Sequence, residues 1–172
     1  AKGQRVTSAL APLNLATSQV VNAKQSTAIT AEFTLDAKAE VAATAVPRTP
    51  VTTYGTTFKA YDAQGLEVPV GLYFSKTANN QWDVYTSVNG AAPTATGTSV
   101  SFDANGTLTA GGSQTLALSS PNGTFNVSLD LSKSKQVNAE FAVVDLQQDG
   151  YTTGRMINMT IGQDGVVTAS YS

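Results

Sequence analysis

The sequence predicts an all-β protein, and three features carry that prediction. Short stretches alternate apolar and polar residues at the two-residue period of a half-buried strand. Turn-forming combinations such as Asn-Gly and Pro-Asn-Gly recur between them. The chain also holds 24 Thr and 15 Ser with only 13% charged residues, where about a quarter is usual. Thr is β-branched and stiff at χ1, so it suits a pleated surface. No apolar stripe at helical spacing persists for three turns. Short strands with turn signals at these intervals suggest a sandwich or barrel.

Taken in order, residues 1–28 are polar and Ala-rich, without a sustained period. "ITAEFTL" (29–35) then puts Ile29, Ala31, Phe33 and Leu35 on one face and Thr30, Glu32 and Thr34 on the other. "DAKAEVAATAVPRTPVT" (36–52) is broken by Pro47 and Pro50 and reads as a linker. "TTFKAYD" (56–62) and "LEVPVGLYFSK" (66–76) flank an Ala-Gln-Gly turn, with Leu66, Val68, Val70, Leu72 and Phe74 sharing a face. Pro69 cannot donate to a ladder and Gly71 weakens a strand interior, which predicts a sheet edge there. "QWDVYTSV" (81–88) follows the Asn79-Asn80 turn and aligns Trp82, Val84, Thr86 and Val88.

After the loop "NGAAPTATGT" (89–98), "SVSF" (99–102) and "TLTA" (107–110) flank Asp103-Ala-Asn-Gly106. "SQTLALS" (113–119) and "TFNVSLDL" (124–131) flank Pro121-Asn-Gly123, with Phe125, Val127, Leu129 and Leu131 facing in. "KQVNAEFAVVDL" (135–146) predicts one more strand. The last two, "GRMINMTI" (154–161) and "VVTASYS" (166–172), form a hairpin around Gly162-Gln-Asp-Gly165. The abrupt ends, "AKGQRVTSAL" and "TASYS", read as those of an excised piece of a longer chain.

Composition removes most chemistry. A net charge of −2 with ten scattered Lys and Arg leaves no basic stripe for nucleic acid. No apolar run approaches the roughly 20 residues of a membrane-spanning helix. Without His or Cys, imidazole- and thiolate-based triads, proton shuttles and zinc sites are absent. A carboxylate pair of the glycosidase kind would draw on Asp62, Glu67, Asp83 and Asp130. Each of them falls at a turn or on a polar strand face, where a solvated carboxylate is expected. Asp103-Ala-Asn105-Gly106 resembles the start of a calcium loop but lacks its later acidic ligands. The sequons at Asn105, Asn122, Asn126 and Asn158 are matches that an Asn-, Thr- and Ser-rich chain produces by chance. Tyr54, Tyr61, Tyr73, Tyr85 and Tyr151 are candidates for a sugar platform or for cross-strand pairs. Gly111-Gly112 lacks any phosphate-binding partner motif. The expectation is no catalytic, cofactor-binding or metal residue.

Two stretches resemble the bacterial flagellar hook protein family. The first, "GTTFKAYDAQGLEVPVGLYFSKTANNQWDVYTSVNG" (55–90), holds Tyr61-Asp62, Gly65, Tyr73-Phe74-Ser75-Lys76, Asn80-Gln81-Trp82 and Tyr85-Thr86 in the family's order. "SFDANGTL" (101–108) looks like the next hairpin. The second, "QQDGYTTGRMINMTIGQDGVVTASYS" (147–172), is similar to the return segment: Asp149-Gly150-Tyr151, Gly154, Asp164-Gly165 and Tyr171-Ser172. Flagellar rod proteins share this second stretch, whereas the first, with its Trp, favours the hook.

The resemblance implies two nested β-domains, with residues 1–38 and 147–172 as parts of an inner domain and 39–146 as an inserted outer domain. It implies a structural subunit that self-assembles into a curved hollow tube, a universal joint carrying torque from motor to filament. The partners would be copies of itself, the hook cap, the hook–filament junction proteins and the distal rod, with no nucleic acid or membrane. The location would be the extracellular hook, after export by the flagellar type III apparatus. Subunit contacts are expected from the 79–80 turn and loop 89–98. Rival readings are a distal rod subunit, a carbohydrate-binding or adhesin-type module, and a glycosidase.

Overall fold

The computed structural model describes residues 20–161 and 167–171, with side chains as far as Gly154. The chain divides into two compact units, Asn22–Thr153 and a second unit formed by 1–21 with 154–172. In the second unit β1 (Val20–Val21), β12 (Gly154–Ile161) and β13 (Val167–Tyr171) form an antiparallel sheet in the order β1-β12-β13. The turn expected at 162–165 lies outside the described residues, as do residues 1–19.

The larger unit holds two sheets. One is a meander of β3 (Tyr54–Tyr61), β4 (Glu67–Ala78), β5 (Gln81–Val88), β6 (Thr94–Phe102) and β7 (Leu108–Ala110), antiparallel throughout. The other is built on β2 (Ala28–Asp36), with β8 (Ser113–Ser120), β9 (Gly123–Asp130), β10 (Lys135–Val137) and β11 (Ala142–Gln148). A single short 3₁₀ turn, Val51–Thr53, ends the linker, and every other described element is a strand.

The alternation becomes burial. Ile29, Ala31, Phe33 and Leu35 are at most 1% exposed, as are Val68, Val70, Leu72 and Phe74 opposite them in the same core. Trp82, Val84, Val100, Leu118, Val127, Leu129 and Leu131 join it, with Ala60, Phe102 and Leu116. Phe33 meets Phe74 edge-on at 4.8 Å between ring centres, and Phe141 stacks on Phe33 at 5.9 Å. Burying one such side chain is worth about 1.5–3 kcal/mol, so the facing rows supply the main cohesion between the sheets.

β2 organises the second sheet. Its first half pairs in parallel with β9 (Ile29 opposite Leu129) and its last three residues pair in parallel with β10 (Thr34 opposite Lys135). Along its other edge runs β11, antiparallel, from Gln148 opposite Ile29 to Ala142 opposite Thr34. Between the β9 and β10 ladders the buried Ser134 hydroxyl accepts the Phe33 N–H at 3.1 Å, closing the gap.

Four expectations need correction. The stretch 135–146 is two strands, because after Val137 the chain rounds the end of β2 and returns along its other edge. β4 lies between β3 and β5, so Pro69 is not on an edge strand. Its carbonyl accepts Asn89 N–H at 2.9 Å, where β5 ends and the chain turns away. A residue's nitrogen and carbonyl face the same neighbour, so the missing donor falls at the last rung, where little is lost. Leu66 precedes β4 and is 43% exposed, so it does not join the row begun by Val68. The boundary expected at 38/39 falls inside the larger unit, since β2 pairs with β9, β10 and β11.

Gly71 has its own reason. A Cβ there would stand 2.7 Å from the Tyr73 ring, and one at Gly55, directly across from Tyr73, would also collide with it. Tyr73 thus lies flat over two glycines, restoring the packing that they lack.

Ser134→Ala is expected to leave the buried Phe33 N–H unpaired and to cost about 1–3 kcal/mol, read as a lower urea midpoint. Gly71→Ala is expected to cost a similar amount, about 1–3 kcal/mol. Pairing it with Tyr73→Ala should cost less than the sum of the two single changes.

Candidate functional site

The carboxylates proved to be the informative side chains, though not as a reactive pair. Asp62 ends the β3–β4 hairpin and is 3% exposed, not solvated as its turn position suggested. One of its oxygens accepts the Gln64 and Leu66 N–H groups, both at 2.9 Å. The other accepts the Ser120 hydroxyl at 2.8 Å and the Asn122 amide at 2.7 Å, which ties this turn to the β8–β9 turn of the other sheet. Burial opposes its charge, but the hydrogen bonds from Asn122, Leu66, Ser120 and Gln64 outweigh it and hold the carboxyl down at about 2.

Asp103 builds the same turn again. Its carboxylate accepts Asn105 and Thr107 N–H at 2.9 and 2.8 Å, and Gly106 N–H returns to its carbonyl at 3.0 Å. Asp62-Ala-Gln-Gly-Leu and Asp103-Ala-Asn-Gly-Thr are therefore one design, with Gly65 and Gly106 at φ 81° and 80°. This arrangement puts two backbone donors on Asp103 Oδ1, and among the described residues no cluster of three acidic side chains could hold a metal ion. The remaining candidates are engaged separately. Glu67 pairs with Lys59 at 2.7 Å on the surface, and Asp83 accepts the Ser99 hydroxyl at 2.5 Å. Asp130 accepts the Ser132 N–H at 2.8 Å, and Ser132's hydrogen bonds lower its carboxyl.

A second cluster, not foreseen, sits where the chain enters and leaves the larger unit. Lys24 and Tyr151 form an antiparallel bridge. Asp149 accepts Thr27 N–H, Ala28 N–H, the Thr27 hydroxyl and the Lys24 ammonium, at 2.7, 3.0, 2.7 and 3.0 Å. Burial works against its charge, but these bonds prevail and hold its carboxyl well below the ordinary range. The buried Ser26 hydroxyl donates to Gln148 Oε1 at 2.7 Å and accepts Tyr61 N–H at 2.9 Å. Gly150 lies so close to Ser26 that a Cβ would collide with it.

A third cluster joins the two sheets through amides. Trp82 Nε1–H donates to Gln136 Oε1, and Gln136 Nε2 donates to Asn80 Oδ1, both at 2.7 Å. The 79–80 turn is thereby anchored through Asn80. The buried Lys76 donates to the Ala37 carbonyl at 2.7 Å and stands 5.7 Å from the Trp82 ring centre. Lys76 continues the inward row Val68, Val70, Leu72, Phe74, and that period was the signal available in the sequence.

The tyrosines do not assemble a platform. Tyr54 packs edge-on against Trp82 at 5.6 Å, within the core periphery. Tyr73 and Tyr85 face each other across β4 and β5, the cross-strand alternative. Tyr61 is half-buried and Tyr151 exposed. Asn105 and Asn122 serve the turns, Asn126 is exposed on β9, and Asn158 lies beyond the described side chains. Asp83 and Asp62 line separate hollows of about 140 and 120 Å³. A cavity of about 280 Å³ beside the linker is lined by Arg48, Thr49, Val51, Lys76 and Tyr85, with no carboxylate.

Comparison with known proteins adds the following. The family model described as flagellar basal body protein FlaE D2 domain matches residues 34–151. The flagellar hook protein FlgE of Salmonella typhimurium is 34% identical over 124 residues, covering 67% of this chain and 30% of that protein. FlgE of Escherichia coli is 36% identical over 121 residues, covering 65% of this chain and 29% of that protein. A solved structure of Helicobacter pylori flagellar hook protein FlgE2 aligns at a TM-score of 0.49 and 19% identity, over 69% of this chain and 29% of that one. The chain thus spans about 30% of the length of the curated relatives that it matches.

The two bonded carboxylates make stability pH-dependent. Asp62 and Asp149 both titrate lower when folded than the value of about 3.9 expected in the unfolded chain. Their contribution is therefore complete above about pH 5 and drains away as pH falls through 3.9 towards 2. Urea midpoints measured from pH 6 to 2.5 should fall steeply for the native chain and less steeply for Asp62→Asn/Asp149→Asn.

Proposed function

Because the chain belongs to the flagellar basal body protein FlaE D2-domain family, we propose that it is the outer part of a structural subunit of the bacterial flagellar hook. The observation that carries this reading is the family match over 34–151 together with curated relatives that are named flagellar hook protein. Those names favour the hook over the distal rod, and over a sugar-binding module or a glycosidase. The role is mechanical, not enzymatic: copies polymerise into a curved hollow tube that bends as it passes torque from motor to filament. The hook cap, the junction proteins and the distal rod are its other partners. Export through the flagellar type III apparatus delivers it to the cell exterior.

Connectivity supports the nested arrangement. The larger unit is one continuous segment, Asn22–Thr153, and the smaller is made of what precedes and follows it. The bonded carboxylates act as fasteners of a load-bearing body, since each is used up by internal donors. A surface rich in Thr and Ser and poor in charge exchanges hydrogen bonds with water and neighbours at little cost, which suits contacts that slide during bending.

Electron microscopy of cells lacking the full-length gene should show motors without the curved segment, and intact curved segments would overturn the reading. In assembled hooks the contacts between larger units should be small and wet, and a broad apolar interface there would refute the sliding surface.

A further inference from the structure

Three Asn-Gly pairs occur in this chain, at 89–90, 105–106 and 122–123. In an Asn-Gly pair the glycine nitrogen can attack the preceding side-chain amide, because no Cβ hinders its approach. The fold treats the three pairs differently, and this difference is independent of the hook reading.

Asn105-Gly106 is locked. Gly106 N–H donates to the Asp103 carbonyl at 3.0 Å, and the buried Gly106 backbone lies against the Gln136 carbonyl. Asn122 has its amide held by the Asp62 carboxylate at 2.7 Å, so ring closure must break a charge-assisted bond beside a negative charge that disfavours loss of the glycine N–H proton. Asn89-Gly90 has no carboxylate beside it, and its side-chain amide donates to the neutral Ser119 carbonyl at 2.9 Å. Both residues are exposed at a tight turn closed by Ala91 N–H to the Val88 carbonyl, with φ values of 54° and 76°. Among the described residues Gly90 N–H has no hydrogen-bond partner, and nothing stands within 4 Å of where its Cβ would be.

We propose that Asn89 is a site of spontaneous deamidation and isoaspartate formation, selected by the fold over the other two pairs. Gly90 nitrogen gives its proton to solvent base and attacks Asn89 Cγ. The new N–Cγ bond closes a five-membered succinimide, and the Cγ–Nδ2 bond breaks to release ammonia, which takes its proton from water. Water then adds to one of the two ring carbonyls, and opening of the ring leaves aspartate or isoaspartate. No electrons are exchanged with any other reactant. The reaction removes the Asn89 amide, which donates to the Ser119 carbonyl of β8 at 2.9 Å. A carboxylate in its place faces that carbonyl oxygen without a proton to share. The turn between β5 and β6 is thereby released from the other sheet, and the chain gains one negative charge.

The test is prolonged incubation of the purified folded chain at neutral pH, followed by peptide mapping and enzymatic methylation of isoaspartate. Asn89 should react roughly fivefold or more faster than Asn105 and Asn122, the ratio expected where Asn105 must first free the Gly106 N–H and Asn122 must leave a charged acceptor, a bond about twice as strong as a neutral one. In urea the three rates should converge, because only the fold separates them. Equal rates in the folded chain would overturn the proposal, as would a lead by Asn105 or Asn122. So would an Asn89 lead that persists undiminished in urea, since local sequence would then be its cause.

Discussion

Strand β2 has to satisfy its backbone along both edges while sinking Ile29, Ala31, Phe33 and Leu35 into the core, and much of the larger unit follows from that demand. No single neighbour covers its length. β9 serves its first residues, β10 its last, β11 the opposite edge, and a serine hydroxyl fills the interval between the first two. A buried N–H left unpaired costs as much as a lost side-chain contact, so the chain turns round the end of β2 and closes the second edge. The meander is then held against this sheet by the facing apolar rows and by Trp82 reaching Gln136.

Polar side chains do the joining at the margins. Asp62 ties two turns from different sheets, Asp149 gathers the start of β2 to the end of β11, and Asn80 is held by Gln136. Among the described residues no buried side-chain nitrogen or oxygen lacks a partner. Such saturation matters for function as much as for stability. A carboxylate whose lone pairs are filled by internal donors has nothing left for a substrate or an ion, so these acids are fasteners. A unit cross-tied in this way resists shear between its layers.

The alternating strands were legible because each has one wet face, and the period therefore reports burial directly, as at 29–35 and 68–74. The two Asp-Ala-x-Gly turns were legible for a similar local reason, since glycine supplies the positive φ. What escaped were relations between distant residues. Pro69 looked like an edge marker because the sequence does not show that β5 stops beside it. "KQVNAEFAVVDL" looked like one strand because its wrapping of β2 leaves no local trace. Asp62 looked solvated because Ser120 and Asn122, its covering donors, lie some sixty residues further on. The resemblance to hook proteins, by contrast, rested on an ordered run of motifs and agreed with the family match.

The partners of β2 come late in the chain. Ile29 must wait for Leu129, and Thr34 for Lys135 and Ala142. Loop closure over a hundred residues is slow, and folds dominated by such distant pairings form in milliseconds to seconds, not microseconds. A chain growing from its N-terminus therefore carries β2 as an unpaired ribbon until β9, β10 and β11 have followed. Nearly the whole larger unit must be made before its second sheet can close. The same topology that makes the finished body stiff keeps the growing thread pliable.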